Sequence, residues 1–156
     1  MSEQVGGTTN DLGTIGPREV VVRGNAEGFT QDIAVGPHQL TAEEPKDMGG
    51  EDEGPTPYDL LLAALGSCTS ITVTLYAQRK SWPLQGVITR LRHSRIHVTD
   101  CAECETEEGT INRIELDIEF VGPLSSEQRS KLLEIAKKCP VHRTLTSETN
   151  IRTRAA

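Results

Sequence analysis

Hydrophobic residues along this chain change their period several times, and each change marks an element. Glu19–Arg23 is a short β-branched run. Gly28–Val35 alternates apolar with polar positions, the two-residue period of a strand. Gly24–Glu27 turns between them, so the two predict a hairpin, and Pro37–Leu40 extends the ribbon. Glu43–Pro57 carries Gly, Pro and acid and reads as a solvated loop. The spacing then becomes helical: over Asp59–Arg79 the residues Leu61, Leu65, Cys68, Thr72 and Leu75 form one stripe, while Leu62, Ala63 and Ala64 are apolar as well. A helix apolar nearly all round predicts a central, buried position. Thr56-Pro57-Tyr58-Asp59 supplies its N-cap, a Pro at the first position and an acid in the first turn. Trp82-Pro83 ends it.

Strand periodicity returns in Gln85–Val98 and in Thr110–Val121, joined by the acidic connection Thr99–Gly109, which predicts a second hairpin. Ser125 and Gln128 form a capping-box pattern that opens a second helix, with Leu132, Leu133, Ile135, Ala136 and Cys139 as its apolar face. Pro140 breaks that helix. A short helical turn over Pro140–Thr144 and a last short strand over Asn150–Thr153 follow. The order hairpin, helix, hairpin, helix, strand predicts an α+β fold with sheet and helices segregated. Residues 1–16 read as a polar, Gly/Thr-rich flexible tail and 17–156 as a single domain.

Composition narrows the function classes. The 156 residues allow one modest core. With aromatics at 3%, that core is built from Leu, Ile, Val and Ala, and burial against a second subunit becomes attractive. A net charge of −7 argues against a general nucleic-acid binder, which needs a basic surface. No run approaches the ~18–20 apolar residues of a membrane span, and Met1–Gly16 lacks the basic and apolar blocks of a signal peptide. The expectation is a cytoplasmic protein without a membrane role. Four cysteines in such a compartment read as reactive, metal-binding or plainly structural rather than permanently bridged.

Cys68 stands between Gly66-Ser67 and Thr69-Ser70. Small neighbours admit a close approach, and hydroxyls stabilise a thiolate. Gly66 costs ~1 kcal/mol against Ala inside a helix, which asks for a packing or functional reason. Cys139 precedes Pro140 and is placed to cap the following turn, where exposed amides, His142 and Arg143 favour the thiolate. A free cysteine commonly does no more than pack, and local context leaves packing and chemistry open for both. As a pair on two helices packed over one sheet face, they can meet: one thiolate cleaves an O–O bond and becomes a sulfenic acid, and the other condenses with it to a disulfide. Cys101 and Cys104, with His93 and His97, supply four zinc ligands on paper. On a strand, however, the two histidines lie ~13 Å apart at ~3.3 Å per residue and share no ion. Loop cysteines without a special role are the favoured reading there.

Two segments carry a resemblance. Gly54-Pro55-Thr56-Pro57-Tyr58-Asp59-Leu60-Leu61-Leu62-Ala63-Ala64-Leu65-Gly66-Ser67-Cys68-Thr69-Ser70 resembles the central-helix signature of the OsmC/Ohr family. Lys138-Cys139-Pro140-Val141-His142-Arg143-Thr144-Leu145 resembles its second-cysteine motif. The likeness spans residues 20–154 and is nearer the general OsmC-like branch. It implies an intertwined α+β homodimer with the central helices buried between subunits. It also implies reduction of organic hydroperoxides, and less well of hydrogen peroxide, in oxidative stress defence. Cys68 would be the peroxidatic cysteine and Cys139 the resolving one. Reducing equivalents would come from an external dithiol or a lipoylated protein, with no metal or bound cofactor. The implied thiolate activator is an Arg, here Arg23. Its carboxylate partner in the family stands ten residues before the first cysteine, where this chain has Tyr58, so Asp59 is the substitute. Tyr58, Leu61 and Leu65 are the implied pocket residues. Because of Tyr58, a non-enzymatic small-ligand-binding protein with a redox-sensitive cysteine stays as the alternative, and a metal-binding regulator using His97, Cys101 and Cys104 as a third.

Overall fold

The structure, a computed structural model, describes residues 9–10, 13–14 and 18–156. Thr9–Asn10 (β1) and Gly13–Thr14 (β2) pair antiparallel, Thr9 opposite Thr14. The rest of the expected 1–16 tail lies outside the described residues. The chain divides into two compact units, Met1–Leu60 and Leu61–Ala156.

In the first unit, Val20–Gly24 (β3), Gln31–Val35 (β4) and His38–Ala42 (β5) form an antiparallel meander in the order β3-β4-β5. The hairpin expected from the sequence is present, with two differences. β4 begins at Gln31 rather than Gly28, because the Asn25 side-chain oxygen accepts the amides of Glu27 (2.9 Å) and Gly28 (3.0 Å) and holds that stretch as a turn. Pro37–Leu40 is more than an extension: Gly36 takes φ +54°, a left-handed conformation cheap only for glycine, and the chain reverses into a full third strand. The acidic stretch that follows is not wholly solvated either. Glu43 is buried, and its carboxylate accepts the amides of Glu51 (2.8 Å) and Glu53 (3.1 Å) while its own amide donates to Pro55 O (3.1 Å). A buried carboxylate is tolerated when donors replace water, and here it folds the loop around itself.

Pro57–Arg79 forms the long helix α1. Its start is the expected one: Thr56 N–H donates to Asp59 Oδ2 (2.9 Å) and Asp59 N–H to Thr56 Oγ1 (3.1 Å), a reciprocal cap. Its buried stripe differs from the expected one. Leu65, Thr69, Val73 and Ala77 are buried, recurring every four residues, with Gly66 beside them, whereas Ile71 and Leu75 are exposed. The most apolar 18-residue window of α1 has mean hydropathy 1.7 and is 28% buried, so by length and composition alone the helix is long and apolar enough to cross a membrane. This corrects the sequence reading. The small and hydroxylated residues that break the apolar run cost little hydropathy.

Gly86–His97 (β6) and Thr110–Val121 (β7) pair along their whole length, Gly86 opposite Val121 and His97 opposite Thr110. Val87, Thr89, Leu91 and His93 face inward with Phe120, Ile118, Leu116 and Ile114 beside them, as alternation predicts. The other face is a lattice of exposed ion pairs, Arg92 to Asp117 (2.7 Å) and Glu115 (3.8 Å), and Arg90 to Glu119 (3.4 Å). Gly66 explains itself against this ribbon: a Cβ there would lie 2.8 Å from Leu91 Cδ1 and 2.9 Å from Thr89 Oγ1. The missing side chain lets α1 lie close on β6.

Ser126–Ala136 (α2) opens on the expected Ser125/Gln128 capping box and buries Leu132, Ile135 and Ala136, while Leu133 is exposed, contrary to its place on the expected face. Arg129 bonds both Phe120 O (2.6 Å) and Gly122 O (2.8 Å), fixing α2 to the end of β7. Val73, Ala77, Phe120, Leu132 and Ala136 are the core of this unit. Pro140–Leu145 forms the short helix α3. The closing strand expected at Asn150–Thr153 is not formed; those residues are exposed and pair with no strand edge, without which an extended segment has no ladder.

Candidate active site

The buried stripe of α1 carries Thr69 inward, and Cys68 beside it is half-buried. Cys139 stands between α2 and α3, fully buried at 0% exposure. Pro140 at the first position of α3 leaves Cys139 as its N-cap in extended conformation, as the sequence predicts. In that position its sulfur accepts the His142 amide at 3.2 Å. The Thr69 hydroxyl donates to the same sulfur at 3.7 Å. Cys68 and Cys139, 71 positions apart, are both free thiols, and the Cys68 thiol is one of the groups that act on Cys139. The two cysteines chosen from the sequence are brought together.

Opposing effects set the charge on Cys139. Burial, the largest single effect, pushes its thiol up. The His142 amide, the Thr69 hydroxyl, the Cys68 thiol and the Val141 amide together outweigh burial and hold it below its ordinary value of 9.0. The sequence singled out the hydroxyls around Cys68 as support for that thiolate; Thr69 instead serves the other sulfur. No local signal shows this, because it depends on how α1 and α3 meet.

A cavity of about 240 Å³ is lined by residues near each cysteine in sequence, Leu65 three positions before Cys68 and His142 three positions after Cys139. It is lined by Leu65, Ile114, Leu116 and Leu145 with the polar Asn112, His142 and Thr146. Leu65 and Cys68 are three residues apart on α1 and so lie one turn apart along the helix. Of the three expected pocket residues, Leu65 lines this cavity; half-buried Leu61 and exposed Tyr58 are not among its lining. Ile114 and Leu116 were legible as the inward face of their strand, but not as a cavity wall.

The remaining candidates are placed as follows. Arg23 is exposed on β3 opposite Asp32, in the first unit. Asp59, also exposed there, gives its carboxylate to the α1 cap. Cys101 and Cys104 are joined by a disulfide in the loop between β6 and β7, which corrects the reading of plain loop cysteines: two residues between them let the sulfurs meet across a tight turn, with Cα atoms 5.6 Å apart. His93 bonds Asn112 (3.1 Å) and His97 bonds Thr99 (2.9 Å). Among the described residues no group of three or more His, Cys, Asp or Glu is arranged to hold a metal, so the zinc alternative has no ligand set.

Several solved structures share this fold. An OsmC-like protein from Mycoplasma pneumoniae matches with a TM-score of 0.64 at 22% identity, over 83% of this chain and 86% of that one. An organic hydroperoxide resistance protein OsmC from Legionella pneumophila matches with a TM-score of 0.59 at 18% identity, over 81% and 88%. An organic hydroperoxide resistance protein from Elizabethkingia anophelis gives 0.59 at 18%, over 80% and 84%. No curated protein matches the chain. A family model described as OsmC-like protein matches residues 50–154, a stretch that begins ahead of α1 and takes in both free cysteines, the cavity and α3. With more than half of its length matched in this way, and with the α+β architecture of those structures, the chain belongs to the OsmC-like protein family.

Proposed function

We propose that this protein is a thiol-dependent peroxidase that reduces organic hydroperoxides through Cys68 and Cys139. One observation carries the reading: the free thiol of Cys68 acts on the buried Cys139 from a distant part of the chain, and Cys139 is held below its ordinary value by four donors, while a largely apolar cavity is lined by Leu65 and His142, each three residues from one of the two cysteines. The Cys139 thiolate takes the proton of the Cys68 thiol, which leaves the reactive thiolate on Cys68, the more exposed sulfur. Cys68 then attacks the terminal oxygen of ROOH. The S–O bond forms, the O–O bond breaks, and the alkoxide leaves and is protonated to ROH. Cys139 attacks the resulting sulfenic acid, the S–S bond forms, and the hydroxyl departs with the thiol proton as water. An external dithiol or lipoylated protein returns both sulfurs to thiols and is itself oxidised to a disulfide. Arg23 keeps the activating part that the family resemblance implies for it.

The exposed apolar residues of α1, Ile71 at 60% and Leu75 at 48%, support a homodimer that covers this helix. The organic hydroperoxide resistance proteins among the structural relatives agree with the chemistry proposed. The test is a single-turnover reaction with cumene hydroperoxide, read by mass spectrometry of the thiols. Two thiols disappear, at Cys68 and Cys139, for each hydroperoxide consumed. Cys68→Ser abolishes the reaction; Cys139→Ser reacts once and then overoxidises. Hydroperoxide consumed with both thiols intact would refute the proposal. The same assay separates a non-enzymatic ligand-binding role, favoured by Tyr58 in the carboxylate position, since such a protein with dithiol turns over no faster than dithiol alone.

A further inference from the structure

The alkoxide that leaves when the O–O bond breaks is a poor leaving group in a site walled by leucine and isoleucine, and it needs a proton as it departs. The cavity offers three polar residues. Thr146 already donates its hydroxyl proton to His142 O (2.8 Å), and Asn112 is bonded to His93 (3.1 Å). The third is His142, whose imidazole is the one lining group with two ring nitrogens able to give up and take back a proton. Among the described residues no hydrogen bond occupies its ring.

His142 is also tied to the sulfur chemistry. Its backbone amide bonds Cys139 Sγ at 3.2 Å, and the Cys68 thiol is another of the groups that favour the Cys139 thiolate. His142 lines the cavity together with Leu65, three residues before Cys68 on α1. One residue therefore bonds the Cys139 sulfur through its main chain and also lines the cavity. We propose that the His142 imidazole is the general acid of O–O cleavage, protonating the alkoxide as Cys68 takes the terminal oxygen.

This rests on the peroxidase reading above. The step balances: thiolate, imidazolium and ROOH become sulfenic acid, neutral imidazole and ROH, and the ring regains its proton from solvent. The backbone amide that serves Cys139 survives any side-chain replacement, so His142→Gln removes the acid without removing that donor.

The experiment compares leaving groups. Reduced wild-type protein and His142→Gln react in single turnover with cumene hydroperoxide, whose alkoxide needs a proton, and with peracetic acid, whose carboxylate leaves unaided. Disulfide formation between Cys68 and Cys139 is followed by quenching and mass spectrometry. Loss of a general acid slows the cumene hydroperoxide reaction about a hundredfold and leaves the peracid reaction within about threefold. Equal slowing of both overturns the proposal, because a positioning or folding defect does not distinguish leaving groups. No slowing of either overturns it as well. Wild-type protein inert to both oxidants overturns the peroxidase reading itself, and this inference with it.

Discussion

Replacing Thr69 with Val tests the electrostatics of the sulfur pair while keeping the number of side-chain heavy atoms. Thr69 is 1% exposed and its hydroxyl lies 3.7 Å from Cys139 Sγ. A hydrogen bond to a charged acceptor contributes ~1.5–3 kcal/mol. At this length and to sulfur the bond is weaker than that range, about 1 kcal/mol, which is a roughly fivefold fall in the thiolate-to-thiol ratio at a fixed pH below the midpoint. The amides of His142 and Val141 remain, so the thiol stays easier to ionise than burial alone would leave it. The assay is the ultraviolet absorbance of the thiolate followed against pH in wild type and Thr69→Val, each also carrying Cys68→Ser to leave one titrating sulfur. A second readout follows from linkage. A thiol held below 9.0 in the native state adds stability that is fully present above pH 9.0 and is lost as pH falls through the lower native value. Urea unfolding should therefore gain less stability with rising pH in the Val variant. Identical titrations in the two proteins would refute the assignment of Thr69 as a donor to Cys139.

Two further outcomes follow from packing and from the loop disulfide. Gly66→Ala gains ~1 kcal/mol of helix propensity but forces a Cβ against Leu91 and Thr89, an overpacking cost of ~1–3 kcal/mol, so urea denaturation should show a net loss of about 1 kcal/mol; a net gain would show that α1 does not need this close approach. Joint replacement of Cys101 and Cys104 by Ser opens a ring of only four residues, so stability should fall by no more than about 2 kcal/mol, and hydroperoxide turnover should stay within about twofold of wild type; a larger loss of turnover would give the loop a part in the chemistry.

Local patterns carried much of this fold. The Thr56 and Ser125 caps, the proline at α3, and the paired alternation of β6 and β7 all depend on residues within a few positions of one another, and the structure shows each. What depended on packing was misjudged. The stripe drawn through Leu61, Leu65, Cys68, Thr72 and Leu75 is one of several that an all-round apolar helix permits, and only packing against the β6–β7 ribbon, α2 and Cys139 selects Leu65, Thr69, Val73 and Ala77. The strand expected at Asn150–Thr153 had favourable residues, but the chain does not lay them against any strand edge. The site divides the same way. Cys68 and Cys139 were legible because their motifs are local. Thr69 as a donor to the far cysteine, and the cavity wall formed by Ile114, Leu116 and Leu145, arise from contacts between elements far apart in sequence. The Cys101–Cys104 bond was discounted for compartment reasons, whereas the two-residue spacing alone permits it.

Cys139 is fully covered, yet α3, which it caps, buries none of its own residues. Such a helix belongs to the low-stability end of a structure, where segments open and close without the rest of the molecule unfolding. Any reagent that must touch Cys139 itself, whether an alkylating agent or an oxidant in excess, waits for that excursion, while Cys68 meets solvent from the closed state. The capping geometry thus gives the two sulfurs different clocks. The exchange of the His142 amide with deuterium and the modification of Cys139 report one and the same opening.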